Sequence, residues 1–211
     1  MILELPKIYP ITDIGFSGLS HAEQIERLAA GGATFIQMRE KNLPPAQFFG
    51  EAMKVVELAR QLSVRIIIND RADVALATKA DGVHLGQDDL PAEAARRILG
   101  NDAIIGYSTH NLDQAQRALS LPIDYLAIGP IFATTSKSDT EPVVGLDGLR
   151  SVARTANTVP IVAIGGITFE NVRAVIEAGA TSVAVISALL TEKDSISERT
   201  RQLIEHIGPE N

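Results

Sequence analysis

The segment Gln37-Met-Arg-Glu-Lys41 places an amide and two cations at alternate positions. In an extended strand alternate side chains share a face, so Gln37 and Arg39 point the same way and Lys41 continues the register just past the strand. Two cations aimed at one pocket suit an anionic ligand; a solvated charged loop is the alternative. Asp70, in Asn69-Asp70-Arg71, and Asp89, closing His84-Leu-Gly-Gln-Asp-Asp89, are carboxylates in comparable loops. As a pair at one rim they would hold a hard cation such as Mg2+ with retained waters, whereas helix capping explains either one alone. Ser108-Thr-His110 adds a hydroxyl and an imidazole. Gly165-Gly166 offers bare backbone N–H groups at a strand-to-helix turn, and Ser187 ends the following strand; a plain tight turn is the alternative. Residues 129–144 form the longest stretch without a clear period and carry Thr134, Thr135, Ser136 and Lys137. A loop of that length reads as a lid or ligand clamp, or as surface. His84 and His110 are of the type for acid–base work, with a hydrogen-bonded structural role as the alternative. No His-Glu-x-x-His, Gly-x-Ser-x-Gly, Walker loop or dinucleotide fingerprint occurs.

These residues need elements to position them. Short apolar runs rich in Ile and Val predict strands at 7–12, 34–39, 65–69, 82–85, 104–107, 125–128, 161–164 and 182–186. Helical periods lie between them, among others at 21–30, 45–62, 91–99, 112–119, 168–178 and 195–207. Such alternation predicts a parallel sheet with helical crossovers. An open doubly wound sheet usually carries about five or six strands, whereas eight units of about 26 residues match a compact (β/α)8 barrel, an α/β TIM barrel forming one domain over residues 1–211. In a barrel the active site sits at the C-terminal ends of the strands, and the polar residues above all follow strand ends.

Composition narrows the setting. With 45% hydrophobic and 21% charged residues the chain is expected to fold as a globular domain. The absence of Cys removes disulfides, thiolate metal sites and a cysteine nucleophile, and favours a reducing, cytoplasmic setting. Apolar stretches are far shorter than the roughly 18 residues of a membrane span, and the N-terminus lacks a signal-peptide pattern. A net charge of −7, with no run of Lys or Arg and no Trp, argues against nucleic acid as a partner. That sum alone disfavours anionic substrates too, but Arg39, Lys41 and Lys137 predict a barrel mouth of the opposite sign.

Read in order, Gln37-Met-Arg-Glu-Lys41, Ile68-Asn-Asp-Arg71, Gly82-Val-His-Leu-Gly-Gln-Asp-Asp89, Gly106-Tyr-Ser-Thr-His110, Gly129-Pro-Ile-Phe132 with Thr134-Thr-Ser-Lys137, and Ala163-Ile-Gly-Gly-Ile167 closely resemble the thiamine phosphate synthases. The ordered set is highly specific although each block is weak. The resemblance implies a (β/α)8 barrel and a transferase joining 4-amino-2-methyl-5-hydroxymethylpyrimidine diphosphate to 4-methyl-5-(2-hydroxyethyl)thiazole phosphate, or its carboxylated form. The products would be thiamine phosphate and diphosphate. It further implies that Gln37, Arg39, Lys41, Asn69, Ser108 and Lys137 hold the pyrimidine diphosphate, with Arg39, Ser108 and Lys137 closest to the chemistry. Asp70 and Asp89 would bind Mg2+. Thr134, Thr135, Ser136, Gly166, Ile186 and Ser187 would meet the thiazole phosphate. Two rivals stay open: a thiazole tautomerase on the same barrel, for which His110 could serve, and a non-catalytic binder of phosphorylated ligands. A homodimer packed through outer helices is neither required nor excluded by one chain.

Overall fold

The computed structural model describes residues 3–134 and 141–208. Eight parallel strands, β1 (Ile8–Thr12), β2 (Phe35–Met38), β3 (Arg65–Asn69), β4 (Gly82–Leu85), β5 (Ile104–Thr109), β6 (Tyr125–Ile128), β7 (Ile161–Ile164) and β8 (Ser182–Val185), close in chain order, with β8 pairing back onto β1. The (β/α)8 barrel is therefore the fold, and the open sheet is excluded. Strands β3, β4, β6 and β7 have the predicted bounds, while β5 runs on to Thr109 and so carries Ser108 within the sheet.

Around the barrel lie α1 (Ile14–Ser17), α2 (His21–Ala30), α3 (Pro45–Gln61), α4 (Ala72–Thr78), α5 (Ala92–Leu99), α6 (Leu112–Ala118), α7 (Gly145–Thr155), α8 (Val172–Glu177), α9 (Ser187–Leu190) and α10 (Ile196–Ile207). Helix α2 begins at a full capping box: Ser20 Oγ accepts from Glu23 N at 3.3 Å and Glu23 Oε2 accepts from Ser20 N at 2.9 Å. That start fixes His21 in the first turn. Helix α8 begins later than periodicity predicts because Asn171 folds 168–171 into a turn. Its Oδ1 accepts from Thr168 N at 2.8 Å and its Nδ2 donates to Gly166 O at 2.9 Å.

Strand register decides which side chains enter the barrel. Ile11 pairs with Gln37, Gln37 with Ile67, Asn69 with His84, His84 with Gly106, Gly106 with Tyr125, and Tyr9 with Ala184. Paired residues share a face of the sheet. The hydroxyls of Tyr9 and Tyr125, on strands that are not neighbours, lie 2.8 Å apart and identify that face as the interior. The opposite face, including Ile36, Ile66, Ile68, Val83, Ile105, Leu126 and Val183, is buried under the helices. Burial on both faces is what makes the strands read as continuous apolar runs rather than alternating ones. A layer of Tyr9, Phe35 and Tyr125 fills the interior edge to face, with ring centroids 4.7 to 6.3 Å apart.

Candidate active site

The loop after β2 is anchored from below and from the side. Arg39 Nη1 donates to Asp13 Oδ2 at 2.7 Å, joining the ends of β2 and β1. Asp13 is itself fixed, since its Oδ1 accepts from Gly15 N at 2.9 Å and its N–H donates to Gln24 Oε1 at 2.9 Å. Between the two cations, Glu40 turns inward: its side chain is 7% exposed, while that of Lys41 stays half exposed. Glu40 Oε1 accepts from the N–H groups of Asn42 at 2.5 Å and Leu43 at 3.2 Å, and Oε2 lies 3.3 Å from His21 Nε2. Burial by itself would push the Glu40 carboxyl up, but the Asn42 N–H, His21 and Leu43 N–H outweigh it and hold the group below its ordinary value. Burial lowers the His21 pKa more than Glu40 raises it. His21 Nε2 faces the Glu40 carboxylate, which can only accept, and His21 Nδ1 lies 2.7 Å from Thr12 Oγ1, itself 3.3 Å from Gln37 O.

At the ends of β3 and β4 the two expected carboxylates meet. Asp70 adopts φ 63°, a left-handed conformation that an L residue seldom takes, and its N–H donates to His84 O at 2.8 Å. Lys41 Nζ forms an ion pair with Asp70 Oδ2. Asp89 Oδ2 accepts from Gly86 N at 2.7 Å. Burial pushes the Asp89 carboxyl up; the Gly86 N–H opposes this, the charge and hydrogen bond of Asp70 add to it, and Lys41 relieves it. Two carboxylates pressed together are a donor set that a small divalent cation would relieve. Among the described residues no group of three or more His, Cys, Asp or Glu gathers, so such an ion would keep waters or substrate oxygens, as Mg2+ commonly does. Asn69, buried at the end of β3, lies beside His84 in the register.

Inside the barrel a line of hydrogen bonds crosses from β2 to β5. Gln37 Nε2 is 3.0 Å from Tyr9 Oη, Tyr9 Oη is 2.8 Å from Tyr125 Oη, and Tyr125 Oη is 2.9 Å from His84 Nδ1. His84 Nε2 is 2.8 Å from Ser108 Oγ. The Ser108 carbonyl also accepts from Gln87 Nε2 at 2.6 Å, tying the β4 loop to β5. Burial raises the pKa of both tyrosines, so their hydroxyls stay protonated.

Ser108 also borders a cavity of about 180 Å3, which brings together Thr134, Gly166, Ile186, Ser187 and His110. Gly165 and Gly166 have φ of 102° and 63°, and a Cβ on Gly166 would lie 2.6 Å from Ala133 O. Glycine is required there both for the turn and for the close approach of the 129–133 segment, whose Phe132 N donates to Gly165 O at 3.0 Å. His110 Nδ1 donates to Gly129 O at 2.7 Å, which leaves Nε2 of a neutral ring as an acceptor. Thr135, Ser136 and Lys137 lie outside the described residues.

Two halves of the mouth are thus separate in chemistry. Arg39, Lys41, Asn69, Asp70 and Asp89 follow β2 to β4, whereas the apolar cavity follows β5 to β8, with Ser108 at its edge. Among the described residues Arg39 is paired with Asp13 and Lys41 with Asp70. Asp13, His21, Glu40, Tyr9 and Tyr125 were not singled out from sequence. Tyr9 and Tyr125 stood inside predicted strands, where a polar tip on an apolar run was the available signal.

Comparison with known proteins gives the family. Residues 8–189 match the family described as thiamine monophosphate synthase. A thiamine-phosphate synthase of Chloroflexus aurantiacus is 48% identical over 198 residues, spanning 93% of this chain and 90% of the relative. One from Albidiferax ferrireducens is 44% identical over 208 residues, spanning 97% and 94%. The solved thiamine phosphate pyrophosphorylase from Pyrococcus furiosus superposes with a TM-score of 0.86 at 37% identity, covering 95% of each chain. With the barrel fold, a family model matching residues 8–189 and relatives aligned along nearly the whole sequence, the chain belongs to the thiamine monophosphate synthase family.

Proposed function

We propose that the barrel mouth joins 4-amino-2-methyl-5-hydroxymethylpyrimidine diphosphate to 4-methyl-5-(2-hydroxyethyl)thiazole phosphate, or its carboxylated form, releasing diphosphate and making thiamine phosphate. The observation that carries this reading is the Asp70–Asp89 pair bridged to Lys41, set across Ser108 from an apolar cavity. A diphosphate needs cations and a metal site; a flat heteroaromatic ring needs an apolar slot. Both stand at one mouth.

Expelling diphosphate builds negative charge on the leaving group while the electron-rich aminopyrimidine stabilises positive charge on its methylene carbon. Arg39 and Lys41, with Lys137, would face the leaving oxygens, and Gln37, Asn69 and Ser108 would add neutral hydrogen bonds. Gln37 Nε2 has a second hydrogen beyond the one given to Tyr9. Asp70 and Asp89 would hold Mg2+, which neutralises charge developing on the leaving group. Ion pairs with Asp13 and Asp70 keep the two cations placed before substrate arrives, so little reorganisation accompanies charge development. The thiazole nitrogen is nucleophilic as it stands and needs only positioning. Thr134, Thr135 and Ser136, with the backbone at Gly166, Ile186 and Ser187, would fix the thiazole phosphate. We place this chemistry in the cytoplasm with small phosphorylated substrates and no nucleic acid; a second copy of the chain is the one macromolecular partner this reading admits. No described helix is long and apolar enough to cross a membrane.

His110 favours one second reading. Its Nε2 acceptor at the cavity edge could shuttle a proton on a bound thiazole, as a tautomerase would. A tautomerase has no use for the Lys41, Asp70 and Asp89 set. Incubating the protein with both substrates, with and without Mg2+, and analysing the mixture by mass spectrometry tests both. Thiamine phosphate formed only with metal is expected; conversion of thiazole tautomers without condensation would favour the second reading.

A further inference from the structure

The buried line from Gln37 to Ser108 has a direction. An amide nitrogen can only donate, so Gln37 Nε2, 3.0 Å from the Tyr9 hydroxyl, gives its hydrogen to Tyr9 Oη. Tyr9 then spends its single hydrogen on Tyr125, 2.8 Å away, and Tyr125 spends its own on His84 Nδ1 at 2.9 Å. His84, accepting at Nδ1, carries its proton on Nε2 and donates to Ser108 Oγ at 2.8 Å. Ser108 Oγ, having accepted, keeps its own hydrogen for something else. Gln37, Tyr9 and Tyr125 are each at most 2% exposed, so water does not interrupt the order.

We propose that Tyr9, Tyr125 and His84 are positioning residues that fix His84 as its Nε2–H tautomer and turn the Ser108 hydroxyl outward as a hydrogen-bond donor to the substrate. The part concerning substrate rests on the reaction proposed above; the tautomer does not. A donor at this point suits a diphosphate oxygen or a ring nitrogen of the pyrimidine, both acceptors, and would strengthen as negative charge builds on the leaving group. Packing holds the line in place. The His84 and Tyr125 rings lie 5.6 Å apart and nearly parallel, at 21°. On the strand between them Gly106 leaves the space: a Cβ there would stand 2.0 Å from Tyr125 Cζ. Hydroxyls whose pKa burial has raised do not lose the hydrogens on which the order depends. The same geometry links Gln37 and Ser108, two groups assigned to one substrate, through three buried side chains.

The test is the imidazole spectrum of the full chain labelled with 15N, with His84 assigned by its loss in His84→Gln. Among the four histidines, His84 is expected to show protonated Nε2 and bare Nδ1 at neutral pH without ligand. A proton on Nδ1 would reverse the line and overturn the proposal. Tyr125→Phe keeps the ring and removes the middle hydroxyl. It is expected to give mixed His84 tautomers and to lower kcat about tenfold, as loss of roughly one oriented hydrogen bond would, with KM for both substrates within about twofold. A single retained tautomer with wild-type kcat would contradict it. Should that variant fail to fold, Tyr9→Phe breaks the line one step earlier, between Gln37 and Tyr125. Mixed tautomers are again expected there, and an unchanged single tautomer is the contrary result. A wild-type chain with the expected tautomer and no condensation activity counts against the reaction alone.

Discussion

Arg39 Nη1 lies 2.7 Å from Asp13 Oδ2, so the cation at the end of β2 is held by a carboxylate from the end of β1. The two residues stand 26 positions apart in the chain, and the barrel makes them neighbours. The pairing has an energetic purpose at an anion site: a long cationic side chain loses about 2 kcal/mol of rotamer entropy when it is fixed, and here that loss is met on folding rather than on binding.

Arg39→Gln should lower kcat/KM for the pyrimidine diphosphate on the order of 10²-fold, by analogy with loss of one preorganised donor at a developing anion. Asp13→Asn leaves Arg39 in place without its charged partner. A smaller loss, about tenfold and mainly in KM, is expected. Steady-state kinetics of the two variants separate the roles; an Asp13→Asn loss larger than that of Arg39→Gln would assign Asp13 to the substrate itself.

Asp89→Asn keeps an oxygen for the Gly86 N–H and removes a carboxylate raised by burial and by Asp70. The melting temperature is expected to hold or rise while turnover falls at least about 10²-fold, the exchange of stability for function usual at active sites. Thermal denaturation and turnover measured on one preparation check this, and a marked fall in melting temperature would make Asp89 a structural residue.

His21 supplies a pH dependence of stability. Its folded pKa is depressed, so the unfolded chain takes up more protons below the ordinary value of 6.5. Its contribution is full above 6.5 and is lost as pH falls from there through the folded value. Glu40, also depressed, acts in the same sense but lower, below its ordinary 4.5. Between neutral pH and the Glu40 range the melting temperature should therefore fall for the wild-type chain and fall less for His21→Gln. Equal slopes would show that His21 does not titrate in that window.

Gly166→Ala meets two obstacles, a φ of 63° and Ala133 O at 2.6 Å from the new Cβ. A loss of at least about 1 kcal/mol in denaturant unfolding is expected, together with a raised KM for the thiazole phosphate and an unaltered KM for the pyrimidine diphosphate. Equal effects on both substrates would remove the assignment of this loop to one of them.

What the sequence revealed follows from what determines each feature. Strands such as β3 and β6 were legible because both their faces are apolar, and the strand-end positions of Asp70, Asp89 and Ser108 followed from the barrel. The lone His84 could not be separated by type into catalytic or structural, and its place depends on Tyr125, 41 residues away. Tyr9 and Tyr125 are 116 residues apart, and no local pattern marks two hydroxyls that meet only when the sheet closes. Glu40 read as one more charge between Arg39 and Lys41 because its burial depends on His21, from helix α2.

The most direct test of the proposed transfer is to count both products in a single incubation of wild-type chain with the two substrates and Mg2+. One diphosphate released for each thiamine phosphate formed, with neither product when the metal is chelated, is the expected result. Diphosphate released without thiamine phosphate, or no product under any divalent metal while thiazole phosphate still binds, would contradict it.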